Sequence, residues 1–397
     1  MITHRCATLL GVVLPAIGAA SLHAQVTGVE RVSQVNLGTT TVDQNGLSFT
    51  VAGLSGIRLR PASQTDYIAV MDNSNKLVYI RILLAANGSI TSATFTGGLT
   101  LAETRDFEAI DIAPDGTSVL LAEEGTPAIH EYSLTSGARL RTITPPPIYS
   151  QRRANFGIES LTASADASHL WFANEEALTT DGSLSTTSVG TLVRIQQCGL
   201  AAGSYAPQRQ WAYQCNPIHG SLVSGARSGL CELLHIPQLQ GSDPLAHLLV
   251  LERSLAFSAS GFFQSRLYRI EAAGATDTSN LPSLTGATTV RKTLLWSGSV
   301  NNMEGLALGP QLSPDSLALI GVIDDGDPIS INALVSFRLG FVACPADFNG
   351  DGGIDGNDID AFFAAWEQGN ADVNADGGVD GADVSAFFTV WEAGGCS

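Results

Sequence analysis

Apolar and polar residues alternate along most of this chain, in short runs separated by glycine, proline, asparagine or serine. The clearest example is residues 107–124, FEAIDIAPDGTSVLLAEE, where one apolar run ends at a Pro-Asp-Gly turn and the next ends in acids. Related segments begin near residues 54, 158, 231 and 303. Alternation with a period of two predicts β-strands, and recurrence of the same unit predicts a repeat fold.

Alignment of the five copies defines one recurring position, with intervals of 53, 51, 73 and 72 residues between Ser55, Glu108, Glu159, Glu232 and Glu304. Each interval is long enough for about four short strands with their turns. The pattern predicts a mainly β chain that folds into a β-propeller of five or six blades over residues 25–342. Residues 26–35 are predicted to supply a strand that completes the last blade and leaves no long sheet edge open.

Composition agrees with a turn-rich β protein, since 44% of the residues are hydrophobic, 15% are charged and 41 are glycines. The net charge of −18 argues against a nucleic-acid partner. The charge is uneven, because residues 341–397 hold nine Asp and two Glu but no Lys or Arg.

The N-terminus is typical of an export signal over residues 1–24. His4 and Arg5 precede an apolar run that is too short to cross a membrane, and small residues precede a cut after Ala24, with a cut after Ala20 as the alternative. We therefore expect a secreted or cell-surface protein without a transmembrane segment.

Export permits disulfides. We expect Cys344 to pair with Cys396, because the two bracket the C-terminal segment. Two arrangements are open for the other cysteines: a Cys198 to Cys215 bridge that leaves Cys231 free, or a Cys215 to Cys231 bridge.

The first strand of each propeller blade lines the central channel, so Glu108, Glu159, Glu232 and Glu304 are predicted to form a ring at one mouth. The acids that end the second strands are expected nearby, namely Asp72, Glu123, Glu124, Glu175, Glu176, Glu252, Asp324 and Asp325. Carboxylates within about 4–6 Å cannot all stay ionised without compensation, and calcium suits a site made only of oxygens. Acids beside turns also cap loops, so a purely structural role is the alternative.

A proline-rich segment, residues 144–160, brings Arg152 and Arg153 close to Glu159 in sequence. Paired guanidinium groups bind phosphate or carboxylate bidentately, which makes them a candidate anion clamp. A salt bridge that holds the loop to neighbouring acids explains the pair equally well. Arg253, next to Glu252, has the same two interpretations.

The segments FEAIDIAPDG, GIESL, VLERS and NNMEGLAL resemble the phytase-like β-propeller family, described by its esterase-like activity of phytase. The resemblance spans roughly residues 26–339 and implies a hydrolase acting on phosphoesters. Ser55 departs from it in the first copy, and Ala109 and Ser160 stand where glycine is usual.

Two loops of the form D-x-N-x-D-G-x-x-D-x-x-D follow Cys344, in residues 347–358 and 372–383. Positions 1, 3, 5, 9 and 12 carry oxygen side chains and position 7 supplies a backbone carbonyl, which predicts one calcium ion in each loop. The predicted ligands are Asp347, Asn349, Asp351, Gly353, Asp355 and Asp358 in the first loop, and Asp372, Asn374, Asp376, Gly378, Asp380 and Asp383 in the second.

Each loop runs into a short helical segment, so residues 343–397 resemble a dockerin of the GC type, a small α-helical EF-hand domain. The resemblance implies attachment to a cohesin-like scaffold protein. Loop positions 10 and 11 are Gly356, Asn357, Gly381 and Ala382 rather than hydroxyl residues. A different partner or a calcium-dependent surface tether is therefore also open.

Together these features predict a secreted, metal-dependent hydrolase of phosphorylated small molecules, tethered by a calcium-binding module. The propeller would hold further calcium in its ring, with Arg152 or Arg153 offsetting negative charge. The alternative is a non-catalytic propeller that binds a ligand and is displayed through the same module. The chain has no Gly-x-Ser-x-Gly elbow, which argues against a serine hydrolase.

Overall fold

A computed structural model describes residues 25–239, 243–313, 315–326, 330–342, 344–349, 354–374 and 376–392. Its strands lie in one compact unit and its two α-helices in another. The strand unit contains five four-stranded antiparallel sheets, which are the blades of a five-bladed β-propeller. The predicted export segment, residues 1–24, lies outside the described residues. No described helix is long and apolar enough to cross a bilayer.

The strands follow one another in chain order, starting with β1 (Gln25–Asn36) and the small hairpin β2 (Thr40–Val42) and β3 (Ser48–Thr50). Blade 1 contains β4 (Leu54–Leu59), β5 (Asp66–Met71), β6 (Ser74–Leu84) and β7 (Ile90–Arg105). Blade 2 contains β8 (Phe107–Ile112), β9 (Ser118–Glu123), β10 (Ala128–Ser133) and β11 (Arg139–Ile143). Blade 3 contains β12 (Ile158–Ala163), β13 (His169–Asn174), β14 (Leu192–Ala201) and β15 (Ser204–Gln214), preceded by a 3₁₀ turn at Pro147–Gln151.

Blade 4 contains β16 (Arg227–His235), β17 (Leu248–Ser258), β18 (Gly261–Glu271) and β19 (Arg291–Gly298). Blade 5 contains β20 (Met303–Ser313), β21 (Ser316–Ile323) and β22 (Ala333–Val342), and its outer strand is β1. Strand β1 pairs antiparallel with β22, from Gln25 opposite Val342 to Asn36 opposite Ala333. The predicted closure by the N-terminal strand is confirmed.

Apolar clusters fill the spaces between neighbouring blades. One cluster joins Leu249 and Leu267 of blade 4 to Leu319 and Phe337 of blade 5, and corresponding clusters occupy the other four gaps. A middle strand is therefore covered on both faces, which explains why β21 is buried along its whole length instead of alternating.

Arg58 of blade 1 lies buried on the channel axis and contacts the inner strand of every other blade. Its guanidinium donates hydrogen bonds to Glu232 at 2.9 Å and to the carbonyl oxygens of Leu161 at 2.6 Å and Leu306 at 2.8 Å. Its Nε lies 3.6 Å from a carboxylate oxygen of Asp111. One side chain thus connects five blades.

The expected disulfides among Cys198, Cys215 and Cys231 are wrong, because all three are free and buried. In the β14 and β15 pair, Cys198 lies opposite Pro207, whereas Cys215 follows Gln214 at the far end of the ladder. Each thiol packs in a different interblade cluster, beyond the reach of a disulfide. The predicted partner of Cys344, Cys396, lies outside the described residues, so that bridge stays a prediction.

The helical unit contains α1 (Gly356–Trp366) and α2 (Gly381–Glu392), related by a repeated set of contacts. Phe362 and Phe387 are fully buried and stack with their ring centroids 4.4 Å apart. Trp366 donates to the carbonyl oxygen of Asp380, and Trp391 donates to that of Asp355, each at 3.3 Å. The duplicated sequence therefore forms a duplicated structure around one small aromatic core.

We expect Arg58→Met to destabilise the propeller by roughly 3–5 kcal/mol, since it leaves the carboxyl groups of Glu232 and Asp111 buried without their cation. Denaturant unfolding measures the loss. The matched control is Arg81→Met, whose exposed pair with Asp66 should contribute no more than about 1 kcal/mol. Equal effects of the two substitutions would show that Arg58 does not hold the blades together.

Candidate functional site

An irregularity in the ladder marks the start of every inner strand. In blades 2 and 3 the register shifts after Phe107 and Ile158, which leaves Glu108 and Glu159 unpaired, as in a β-bulge. The corresponding residues in blades 1, 4 and 5 are Ser55, Cys231 and Glu304. A bulge re-aims its side chain, so these five positions form a ring, which we call the bulge ring.

A second ring comes from residues that directly follow the second strand or, in blade 4, lie within it. In each blade, one residue of the second strand lies opposite the residue at which the register shift begins. These second-strand residues are Met71, Glu123, Asn174, Glu252 and Ile323. The residues after them are Asp72, Glu124, Glu175, Arg253 and Asp324. Blade 4 therefore breaks the acidic pattern in both rings, with Cys231 in one and Arg253 in the other.

The two rings surround a cavity of about 590 Å³. Its described lining includes eight carboxylic acids, namely Asp72, Asp106, Glu108, Glu124, Glu159, Glu175, Glu304 and Asp324. Two groups of three have carboxylate oxygens that all lie within 4.8 Å of one another: Asp72, Asp106 and Glu108, and Glu124, Glu159 and Glu175. Such crowding is unfavourable unless protons or cations compensate it.

Burial and mutual repulsion change the acidity of these groups. Burial, followed by the hydrogen bond with Asp106, raises the pKa of Asp72 to about 6. Burial raises the pKa of Glu124 to about 7. The hydrogen bond from the amide of Gly157 opposes this rise, and the negative charge of Glu175 adds to it. Burial and neighbouring carboxylates raise the pKa values of Glu108 and Glu159 well above the usual range. Near neutral pH the cavity thus favours bound protons or cations.

Arg253 supplies the internal positive charge of this region. It is 1% exposed, lies 3.0 Å from Glu175, donates to Asn302 at 2.9 Å and forms an ion pair with Glu304. The other carboxylate oxygen of Glu304 is buried and accepts no hydrogen bond from the described residues. Glu304 as a residue is part of the cavity lining.

Hydrogen bonds hold some of the acids in place and leave another without a donor. Ser55 donates to Glu108 at 2.7 Å, and the amide of Gly157 donates to Glu124 at 2.9 Å. Glu159 is 7% exposed and lies between the carboxylate groups. Across the described ranges no protein group donates a hydrogen bond to it. Its oxygens can therefore contact a proton, water or a cation among the neighbouring carboxyl groups.

Comparison with known proteins identifies the propeller. The family model described as Phytase-like, Esterase-like activity of phytase, matches residues 50–326. The chain belongs to this family. No curated protein matches the sequence. Among solved structures, the hydrazine synthase of Kuenenia stuttgartiensis is similar with a TM-score of 0.34 and 11% identity, over 69% of this chain and 78% of that chain. The latter likeness is too distant to carry a functional argument.

The sequence alignment predicted Glu232 as the blade 4 member of the acidic ring of this phytase-like protein. That prediction is wrong by one residue. The shift in blade 4 follows Leu230, so Cys231 occupies the ring and Glu232 pairs with Leu251. Glu232 is 1% exposed, and Arg58 opposes the burial that raises its pKa to about 6. It serves as the counterion of Arg58.

The two arginines of the proline-rich segment lie away from the cavity lining. Arg152 donates to the carbonyl oxygens of Gly125 and Arg153, and Arg153 donates to those of Ala177 at 3.1 Å and Gly182 at 2.8 Å. Their guanidinium groups are used to hold loops, which corrects the expectation of an anion clamp at the ring.

Only one of each pair of strand-ending acids reaches the cavity, because successive side chains of a strand point in opposite directions. Glu123 contacts Arg105 and His130, Glu176 accepts from the amide of Ser185, and Asp325 accepts from the amide of Gly53. Glu252 contacts Tyr213 and Lys292. These four acids are structural.

Sequence reasoning missed Asp106, Arg227 and Asn302. Asp106 and Asn302 directly precede Phe107 and Met303, the residues at which the register shifts begin, and the corresponding residues of blades 1, 3 and 4 are Gly53, Gly157 and Gly229. Gly157 needs to be glycine, since a Cβ there would lie 2.6 Å from the carbonyl oxygen of Glu124. This position therefore recurs in every copy of the repeat and could have been identified from the sequence. Arg227 carried no such signal.

The second acidic loop of the helical unit is folded around its own carboxylates. The amides of Val373 and Asp380 each donate at 2.8 Å to the buried Asp383, and the amide of Gly377 donates to Asp372 at 2.9 Å. Backbone amides, that of Asp380 first, lower the pKa of Asp383. In the first loop, Asp358 likewise accepts from Asp355 at 2.8 Å, while Asp351 and Gly353 lie outside the described residues.

The raised pKa values predict a pH-dependent stability of the calcium-free propeller. The folded protein holds protons that the unfolded chain has released, so the stability contributed by these raised groups is greatest below the usual carboxyl range and falls as the pH rises through about 7, the pKa of Glu124. In EDTA we expect the thermal midpoint to drop by at least about 4 °C between about pH 5 and pH 8.

Calcium should reverse this drop at the higher pH, because it replaces the lost protons. Glu124→Gln should flatten the pH profile, whereas Glu30→Gln, at an exposed pair with Arg338, should leave it unchanged. A profile that is flat in EDTA for the unmodified protein would contradict the assignment.

Proposed function

We propose that this protein is an exported, calcium-dependent hydrolase of phosphoesters, localised by a calcium-binding C-terminal unit. Membership of the phytase-like family supports an ester hydrolase, and the cavity supports a dependence on cations. The sequence signal in residues 1–24 supports export.

The observation that carries the proposal is the group formed by Glu124, Glu159 and Glu175. Their oxygens lie within 4.8 Å of one another, all three residues are buried, and Glu159 accepts no hydrogen bond from the described protein groups. A set of carboxylate oxygens without nitrogen or sulfur suits calcium, which accepts six to eight oxygen ligands in flexible geometry. Asp72, Asp106 and Glu108 form a second group of the same kind.

Calcium, when bound, would supply the positive charge that attracts a phosphate group and withdraws electron density from phosphorus. The residues of the chain would do the rest. Glu124, Glu159 and Glu175 hold the cation, and Ser55 orients Glu108 through its hydrogen bond. Glu304, anchored by Arg253, lines the cavity and would be the group that accepts a proton from an attacking water.

A binding protein without catalysis is the second candidate. It is favoured by the lack of histidine among the described residues that line the cavity, and by Ser55, whose hydroxyl is committed to Glu108. Such a protein would bind calcium and an anionic ligand in the same cavity without turnover.

We propose a dockerin-like role for the helical unit. The repeated loops and helices, the shared aromatic core and the reciprocal tryptophan contacts support two calcium sites that present the helices to a partner. A cohesin-like or other surface scaffold protein is the partner we expect. The disulfide between Cys344 and Cys396 would close this unit.

We expect Glu159→Gln to lower calcium-dependent hydrolysis of a phosphoester such as p-nitrophenyl phosphate by at least about 100-fold, because it removes a charge from the calcium group. The fold should remain intact, since the amide is nearly isosteric. Initial rates with calcium and with EDTA, together with circular dichroism, measure both effects. Glu176→Gln is the matched control, because Glu176 is buried nearby but does not line the cavity.

Full activity in EDTA would contradict the calcium mechanism. Calcium binding without turnover of any phosphoester would favour the second candidate.

We expect Asp383→Asn to remove one calcium ion from the full chain, since Asp383 occupies position 12 of the second loop. Calorimetric titration gives the number of ions bound. Asp360→Asn, at an exposed helical position, should leave the number unchanged. The same stoichiometry in both variants would remove the second loop from the list of calcium sites.

A further inference from the structure

The wall that blade 4 contributes to the cavity differs from the other walls. Acids dominate the lining contributed by blades 1, 2, 3 and 5, whereas the blade 4 strands contribute Arg227, Leu255 and Phe263. Blade 4 also carries Cys231 and Arg253 at the two ring positions where blades 2, 3 and 5 carry acids. The cavity therefore has one side that is cationic and apolar.

Arg227 is the side chain that can meet an anion on this wall. It lines the cavity, its side chain is 33% exposed, and its Nε lies 3.4 Å from an oxygen of Glu175 without forming a hydrogen bond within the described structure. Arg253 is fully engaged with Glu175, Asn302 and Glu304. A guanidinium that is near the acids but only loosely held suits a phosphate oxygen.

Apolar side chains lie beside Arg227 on the same face of the sheet. Leu255 is directly opposite Arg227 in the β16 and β17 pair, and Phe263 is directly opposite Leu255 in the β17 and β18 pair. Residues that are directly opposite share one face, with their Cβ atoms about 5 Å apart. An anion held by Arg227 thus has its substituent next to Leu255 and Phe263.

The hairpin that joins β17 to β18 carries a separate group of apolar side chains outside the cavity lining. Phe257 and Phe262 are 54% and 38% exposed, and their ring centroids are 5.4 Å apart. Leu222, beside the isolated bridge from Ser221 to Phe257, is 67% exposed. Grouped large apolar side chains in water mark a binding surface more often than isolated ones do.

We infer that blade 4 selects the substrate. Arg227 binds an anionic oxygen of a phosphoester, and Leu255 and Phe263 bind an aryl or alkyl group of the same ester. The inference rests on the proposed function and names its substrate class.

The test compares phenylphosphonate with methylphosphonate, two non-hydrolysable anions of the same charge, by calorimetric titration of the full chain in calcium. We expect phenylphosphonate to bind roughly tenfold more tightly, from burial of its ring. The margin should shrink in Leu255→Ser and disappear in the double variant that adds Phe263→Leu, which keeps the buried position apolar. It should remain in Leu294→Ala, at an exposed position on the outer strand of the same blade. Arg227→Gln should weaken both ligands by a similar factor.

Equal affinity for the two phosphonates, a margin that survives in the double variant, or no binding of either would overturn the inference. Turnover of the methyl and phenyl esters of p-nitrophenyl phosphate tests hydrolysis separately from the apolar selectivity of blade 4. Calcium-dependent hydrolysis with equal phosphonate affinities would leave the proposed function standing without the apolar selectivity. A phenyl preference in binding without hydrolysis would support the blade 4 site and reject the hydrolase.

Discussion

The propeller depends on one buried charge network around Arg58. Its guanidinium, 5% exposed, contacts Asp111, Glu232 and backbone carbonyl oxygens from the inner strands of the other blades. The interblade clusters are apolar and non-directional, so they allow the blades to slide, whereas hydrogen bonds from a planar guanidinium fix their relative register. Buried charges of this kind are tolerated because each has a partner.

This network also affects the balance of charge in the bulge ring. It uses Glu232 and Asp111 as counterions, which leaves the bulge ring and its neighbours to hold an excess of carboxylates at one mouth. Burial raises the pKa values of Glu108 and Glu159 there, while Arg253 compensates only the side of the ring next to blades 3 and 5. The remaining charge favours protons or a cation in the cavity, beside one cationic and apolar wall.

The repeat predicted the architecture well, because interblade packing imposes the same strand pattern on every copy. Alternation and the N-terminal strand gave the propeller and its closure, and Glu108, Glu159 and Glu304 lie where their spacing placed them. Glu232 failed because a bulge shifts side chains by one position and leaves no trace in the order of apolar residues. Arg152 and Arg153 failed because proximity in sequence to Glu159 does not determine which carbonyl groups a flexible side chain reaches. Arg227 and Leu255 become neighbours only through strand pairing.

The central claim is that the carboxylates of the bulge ring hold a cation. A crystal structure of the full chain grown with calcium, with ions identified from their anomalous scattering, tests it most directly. The account predicts an ion contacting Glu159 together with Glu124 or Glu175, in addition to any ions in the C-terminal loops. Ions confined to those loops, with water alone beside Glu159, would contradict it.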